Sequence, residues 1–411
     1  MLPELLVPRL RRAGFAELRI AVVSPFVDRR HGTERALAEL LERLARTHNC
    51  EVHLYAQSVE DLAVSTAGGL RSVDEGTVIW HKVPSVPGPQ LVQFTCWLVL
   101  NSLCRWWDRT FRGLRYDCLF SPGINCFGAN VILVHAVFQR LVELQEQYMG
   151  NGVRGLHRRF YYRLLCWLER RVYCNPRVKL AAVSQHTGGQ LKSYYGRSDV
   201  TVIANGVDAK VFNAEVRNER RSGARLQWNF APHEQVILLI GNDLRTKGLD
   251  VLLEAAALCR DLPLRVLIVG QENPSMWGSV ISKLQLTERV SFSLPSAGVL
   301  NFLAAADVYV APSREDSFNL PALEAMACGL PVIVSTNAGV SEWIHDGLDG
   351  VLLKNTGNAA ELGAAIRKLV TDPEARQRMG ENAVRTAATL SWDRHAGAVY
   401  RLLRGACGLN G

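Results

Sequence analysis

No two of the ten cysteines in this sequence form a Cys-x-x-Cys pair, which removes the usual ligand spacing of a structural zinc site and of a dithiol redox centre. Scattered from Cys50 to Cys407, they read as the reduced thiols of a cytosolic chain. Long apolar runs are missing too. The most apolar stretch, residues 91–103, is broken by Gln93 and Asn101 and then meets Arg105, short of the ~20 residues a spanning helix needs. The first residues, Met1-Leu-Pro-Glu-Leu-Leu-Val-Pro, lack a basic segment followed by an apolar one, so no secretory signal is expected. Asp-x-Asp triplets are absent, and no nucleic-acid fold motif is found. A balance of charge is lacking in one half only. Residues 1–212 hold 27 Lys+Arg against 18 Asp+Glu, whereas 213–411 hold 20 against 21. An excess of one sign confined to one half points to an anionic partner there, either nucleic acid or an anionic membrane surface.

What the sequence does contain is apolar periodicity from end to end. Its 411 residues, 48% hydrophobic and 21% charged, suffice for two domains with a core each. Short β-branched runs alternate with helical patterns, which predicts α/β architecture with parallel sheets covered on both faces. Strands are predicted at 18–24, 51–56, 77–83, 118–121, 131–135, 180–184 and 200–203. The second half repeats the pattern at 236–241, 265–270, 290–292, 308–311, 332–335 and 350–353. Residues 33–46 predict a sheet-packing helix with Ala36, Leu37, Leu40, Leu41 and Leu44 on one face and Arg35, Glu39, Glu42 and Arg43 opposite. The segment 209–232 is polar, Arg-rich and without sustained periodicity, and reads as the linker between domains 1–208 and 233–392. In open parallel sheets ligands bind beyond the carboxyl ends of the strands.

Two such strand ends carry chemistry. Gly241-Asn-Asp-Leu-Arg245-Thr-Lys247-Gly248 precedes a helix whose free N–H groups favour negative charge, so Arg245 and Lys247 can cradle a phosphate. A solvated turn with both cations in water explains the same residues. The second is Pro312-Ser-Arg-Glu315-Asp316-Ser317-Phe318-Asn319-Leu320-Pro321-Ala-Leu-Glu324, continuing Ala-Met-Ala-Cys-Gly-Leu-Pro331. Its carboxylates can accept hydrogen bonds from sugar hydroxyls, or Glu324 can merely complement the dipole of the helix that Pro321 opens.

With seven residues between Asp316 and Glu324, this second cluster resembles the E-x7-E signature of the retaining glycosyltransferases of GT-B fold, family GT4. Further matches follow in order: His31-Gly32-Thr33-Glu34 resembles the family's first glycine loop, Ala182-Val183-Ser184 its A-V-S strand end, and Asn205-Gly206-Val207-Asp208 with Phe212 its N-G-V-D-x-x-x-F. Lys247-Gly248 resembles the K-G loop and Ser391-Trp392 the S-W before the last helix. The resemblance implies two Rossmann-like domains with parallel sheets facing a central cleft. The N-terminal one binds the acceptor and is joined by a C-terminal helix, 393–411. The C-terminal one binds a nucleotide diphosphate sugar, UDP- or GDP-linked, with no cofactor and no metal.

By the same resemblance, Lys247 and Arg245 hold the donor diphosphate, Glu324 the ribose, and Asp316 the transferred sugar. Gly32 approaches the diphosphate, His135 lies near sugar and acceptor, and Glu315, Ser317, Phe318, Asn319 and Leu320 line the donor site. There are departures. Asp316 stands where Glu is usual, with Glu315 one register off as a competitor. Gly241-Asn242 replaces the family's G-R, leaving Arg245 as a substitute, His31 replaces a glycine, and Asn319 does likewise. The implied acceptor is a glycan or lipid-linked molecule of lipopolysaccharide, polysaccharide or glycolipid synthesis.

The basic excess falls on two aromatic-rich segments. Residues 93–115 combine Phe94, Trp97, Trp106, Trp107 and Phe111 with Arg105, Arg109, Arg112 and Arg115. Residues 154–179 carry eight cations against one acid, Glu169. Such helices suit peripheral contact with an anionic membrane, here the cytoplasmic face of an inner membrane; helices packed on a sheet with arginines in water are the plainer reading. Two other readings of the whole chain stay open at this point: an epimerase or phosphorylase of the same fold, and a catalytically silent basic binding protein.

Overall fold

The computed structural model describes residues 17–66, 78–145, 152–295 and 298–409. The expected start of the third strand at Thr77, the opening residues and the last two positions of the C-terminal helix lie outside them. The first domain is built on an eight-stranded parallel sheet. From one edge it runs Thr201–Val202, Lys179–Ala182, Val131–Val134, Cys118–Pro122, Leu18–Val23, Cys50–Ala56, Val78–Lys82 and Val64–Thr66. The second domain has six parallel strands in the order Val290–Ser293, Leu264–Val269, Gln235–Ile240, Val308–Ala311, Val332–Ser335 and Val351–Leu353. Strands such as Leu18–Val23 and Gln235–Ile240 are almost wholly buried, because helices cover both sheet faces and no side of the strand can be left polar.

Every expected strand is found. The structure adds the edge strand Val64–Thr66 and a two-residue pairing of Phe26–Val27 with Ser58–Val59, both too short for apolar periodicity to reveal. In each sheet the strand order reverses at its earliest strand, Leu18–Val23 or Gln235–Ile240. Crevices open at such reversals, and here the two crevices face one another.

The segment expected as a linker is more structured than its composition suggests. Ala214–Gln227 is a helix capped by Asn213, whose side chain accepts the Val216 N–H. Three of its four arginines face inward: Arg217 donates to the carbonyls of Leu303 and Ala306, Arg221 to Ala304, Ala306 and Asp307, and Arg225 to Ala305, Asp307 and Ala231. These guanidinium groups bond the carbonyls that end the helix Val299–Ala305, so the segment is fastened to the second domain. Apolar periodicity missed it because arginine takes the core-facing positions.

The last helix, Trp392–Ala406, returns to the first domain. It packs on Gly32–Arg46, His395 Nδ1 meets the Ala204 carbonyl at 2.8 Å, and Arg43 pairs with Asp393 at 2.7 Å. Where the chain leaves the first domain, Val207 pairs with Ser391. A Cβ on Gly206 would sit 2.2 Å from the Trp392 nitrogen, closer than any side chain allows, so glycine is required at that seam.

Candidate functional site

The crevice between the domains holds a cavity of about 430 Å³. The first domain lines it with residues 30–35 at the start of helix Gly32–Arg46, with His135 and with Asn205; the second lines it with Ile240 to Asp243, Lys247 and Asp316 to Pro321. Lys247 reaches it because Gly248 turns the chain in a left-handed conformation (φ 77°) to start the helix Leu249–Leu258. A Cβ there would lie 2.3 Å from the Pro312 carbonyl oxygen, so the glycine after Lys247 is sterically dictated. The Lys247 ammonium donates to Asp316 Oδ2 at 2.5 Å.

Asn319 explains its own departure from glycine. Its φ is 72°, the left-handed region that asparagine tolerates best after glycine. Its side chain then makes three bonds: it accepts from Ala322 N–H at 3.0 Å and from the Tyr309 hydroxyl at 3.0 Å, and donates to Asp316 at 2.8 Å. Asn319 therefore both caps the helix Leu320–Ala327 and orients the carboxylate that faces Lys247.

Glu324 lies in that helix, 4% exposed. One oxygen pairs with Arg35 of the first domain at 2.6 Å and the other, Oε2, has no partner. Burial pushes its pKa up to about 7 against the pull of Arg35. Arg35 was expected on the polar, outward face of helix Gly32–Arg46. That face is in fact covered by the second domain and the last helix, so Glu39 is buried as well, held by Arg29 and Arg43. Gly32 is the first residue of the helix, exposed, on the cleft wall. His135 stands where the strand Val131–Val134 ends. Burial, assisted by the field of His395, lowers its pKa to about 3, so it is a neutral imidazole at pH 7.

Three expected donor contacts are placed off the cleft wall: Glu324, buried behind it in its helix, and Arg245 and Glu315. Arg245 lies over the Trp277 ring, 5.9 Å from its centroid, and is not among the residues lining the cleft; its cation is absorbed by an aromatic face. Glu315 turns away from Lys247 and across the interface. There it accepts from Arg140 at 3.1 Å and Gln190 at 2.8 Å, and meets His186 Nε2 at 2.9 Å. Phe318 is buried against Trp343. Ser317 lines the cleft, and its carbonyl accepts from Ser184 of the first domain at 2.7 Å. Leu320 lines it as well.

The residues that sequence reading missed are those whose partners lie in the other domain: Arg35, Arg140, His186 and Gln190. Nothing in their local patterns marks them. The Glu315 cluster also makes domain contact pH-dependent. The hydrogen bond to Glu315 raises the pKa of His186 above its ordinary 6.5. For Glu315, burial opposes ionisation, but bonds from His186 and Gln190 prevail and hold its pKa below the ordinary 4.5. His186 therefore contributes in full below 6.5 and loses its contribution as pH rises through its raised value, while Glu315 loses its own only as pH falls through its lowered value. Arg140 stays charged throughout, and the Glu342 carboxylate accepts the Gln185 and His186 N–H groups alongside. Between pH 6 and 8.5 the thermal midpoint is expected to fall more in the wild type than in His186→Gln, as followed by circular dichroism. Equal slopes would mean the pair does not tighten the interface.

Two family models match the chain: one described as glycosyl transferases group 1 over residues 223–386, and one as glycosyltransferase family 4 over residues 30–211. The D-inositol 3-phosphate glycosyltransferase of Thermobifida fusca is 31% identical over 234 residues, 52% of each chain, and that of Nocardia farcinica is 33% identical over 228 residues, 52% of this chain and 49% of the relative. This chain thus spans about half the length of the curated relatives it matches. Among solved structures, WaaG, a glycosyltransferase involved in lipopolysaccharide biosynthesis, superimposes with a TM-score of 0.75 at 19% identity, over 94% of this chain and 100% of its own. Sucrose-phosphate synthase from Thermosynechococcus elongatus gives 0.73 at 20% identity over 95% and 100%, and Anabaena HepE in complex with UDP-glucose 0.69 at 18% over 94% and 100%. At these identities the likeness is one of fold, two Rossmann-like domains about a cleft.

Proposed function

We propose that this chain, which belongs to the family 4 glycosyltransferases, transfers a glycosyl group from a UDP- or GDP-sugar to an acceptor hydroxyl with retention at the anomeric carbon. One observation carries the proposal: a single cavity is lined by Lys247, Asp316, His135 and the N-terminus of helix Gly32–Arg46. That set provides a cation and free N–H groups for a leaving diphosphate, a carboxylate for a sugar hydroxyl, and an uncharged imidazole beside them. The orphan oxygen of Glu324 suits a ribose hydroxyl, since a buried carboxylate oxygen without a donor is costly. HepE, of the same fold, was solved with UDP-glucose, which favours a UDP-sugar.

In the proposed reaction the bond between the anomeric carbon and the β-phosphate oxygen breaks. The acceptor oxygen bonds the same carbon from the same face, and its proton passes to the departing phosphate oxygen. Lys247 and the helix N–H groups carry the charge that develops there, the role a divalent metal takes in other glycosyltransferases. His135 hydrogen-bonds without titrating. A panel of UDP-, GDP-, ADP-, CMP- and dTDP-sugars in EDTA should contain one that raises the melting point, because a ligand bound only to the native state stabilises it. A shift that appears only when divalent cations are restored would contradict the metal-independent reading.

We also propose a peripheral site on the cytoplasmic face of an inner membrane, with a lipid-linked or lipopolysaccharide acceptor. Helix Gln90–Phe111 exposes Leu103, Trp106, Trp107 and Phe111 beside Arg109 and Arg112, and helix Val153–Tyr173 exposes Phe160 and Trp167 beside Arg170 and Arg171. Aromatic and basic groups together favour an anionic interface. Among the described residues no helix is long and apolar enough to cross a membrane. The protein should sediment with vesicles containing anionic lipid and stay in the supernatant with neutral ones.

A further inference from the structure

A second cavity of about 710 Å³ opens from the donor cleft into the first domain, and the two share Thr33, Glu34 and His135. Its wall is largely aromatic and aliphatic, with Phe94 and Tyr161 edge to face at 6.0 Å and Trp97 behind them. Its polar groups are mostly uncharged amides and hydroxyls, such as Gln57, Gln93 and Ser85. Among the described residues no lysine or arginine lines it, and Glu34 is its one charged side chain, since His135 is neutral.

Glu34 is also uncommitted. It makes no ion pair among the described residues, and the hydrogen bond that lowers its pKa comes from its own backbone. Burial nevertheless leaves that pKa raised, with the Asp28 charge adding to the effect. A partly desolvated carboxylate, with the cations Arg30, Arg35 and Lys247 on the donor-cleft side and none on the wall of this pocket, repels an anion seated here and attracts a hydroxyl donor.

Resting on the donor-site reading above, we infer that the part of the acceptor seated in this pocket is an uncharged glycoside unit, with an apolar group against Phe94, Trp97 and Tyr161 and one of its hydroxyls donating to Glu34. A sugar phosphate or polyol phosphate finds no counter-charge in this pocket. The occupant follows from charge and continuity. The pocket meets the donor cleft at Glu34 and His135, so whatever fills it lies against the reacting end of the donor, and pockets of this kind fix orientation with few polar groups set in an apolar wall.

Equilibrium binding to the full chain tests this without turnover, using octyl and p-nitrophenyl glycosides of glucose, galactose and mannose against the matching hexose phosphates and inositol phosphate. At least one neutral glycoside should bind ~10-fold or more tightly than any phosphate, as like-charge contact with Glu34 demands. Phe94→Asp should weaken that glycoside ~10-fold, and Glu34→Gln should narrow its advantage over phosphates, with melting curves confirming that both variants fold. A phosphate that binds as well as or better than every glycoside overturns the inference, as does binding of neither class or indifference to both substitutions. Nucleotide-sugar binding is read separately on the same samples. Donor binding together with a phosphate preference sinks this inference alone, while glycoside binding without any donor binding sinks the reading of the cleft.

Discussion

Lys247→Ala is expected to abolish the donor-induced rise in melting point and to lower kcat/KM by about 10²–10³-fold, the usual cost of removing one preorganised charge donor from a leaving group. In the free protein the ammonium is held by Asp316 at 2.5 Å. A donor that inserts its diphosphate at Lys247 must take the place of that carboxylate and leave it to a sugar hydroxyl. The pair thus presets both contacts, and the alanine variant loses one while leaving Asp316 its bonds from the Asn319 amide and the Phe318 N–H. Asp316, 9% exposed, loses its cation, so the ligand-free melting point should fall as well, and the donor-induced shift is read against the variant's own ligand-free baseline. Retention of the donor shift in this variant would move the diphosphate elsewhere in the cleft.

Glu324→Ala is expected to act on both stability and binding. It leaves Arg35, 15% exposed, as an uncompensated charge at the domain interface, a loss on the order of 3–5 kcal/mol for a broken buried pair. The double change Arg35→Met with Glu324→Leu removes both charges and keeps the volume. It should recover much of the stability, since apolar replacement of a buried pair is often neutral or better, yet it should not recover nucleotide binding. Calorimetry beside nucleotide-sugar titration distinguishes the two effects. Recovery of binding in the double variant would show that Glu324 serves only Arg35.

The parallel strands were legible because burial on both faces forces a continuous apolar run, and the runs at 18–24 and 236–241 lie within a residue of the strands observed. Lys247, Asp316 and Asn319, which line one cleft, were singled out through the family resemblance, since the residue patterns alone left a solvated turn and a dipole-complementing acid open. Glu315 was misread for a reason that spacing cannot reveal. Adjacent residues in extended chain point to opposite sides, so only one of Glu315 and Asp316 can face Lys247, and which one does depends on Arg140, His186 and Gln190 arriving from another domain. Arg245 was misread in the same way, its partner Trp277 lying in a separate segment 32 residues on. Arg35 looked like a solvated helix position because the sequence of one helix does not reveal that a second domain covers its polar side. The arginines of 214–227 hid a packed helix because their partners are carbonyls, which are invisible to any pattern of side chains.

The path of the last helix bears on how the molecule is made. Residues 17–207 leave the ribosome before the second domain, carrying all eight strands of their sheet, but the surface of helix Gly32–Arg46 that meets Trp392–Ala406 waits until the second domain has been translated in full. The second domain, continuous in sequence, can finish folding while its predecessor still lacks a piece. The domain begun first is therefore completed last, and a nascent chain halted anywhere short of Trp392 leaves it with part of its core in water.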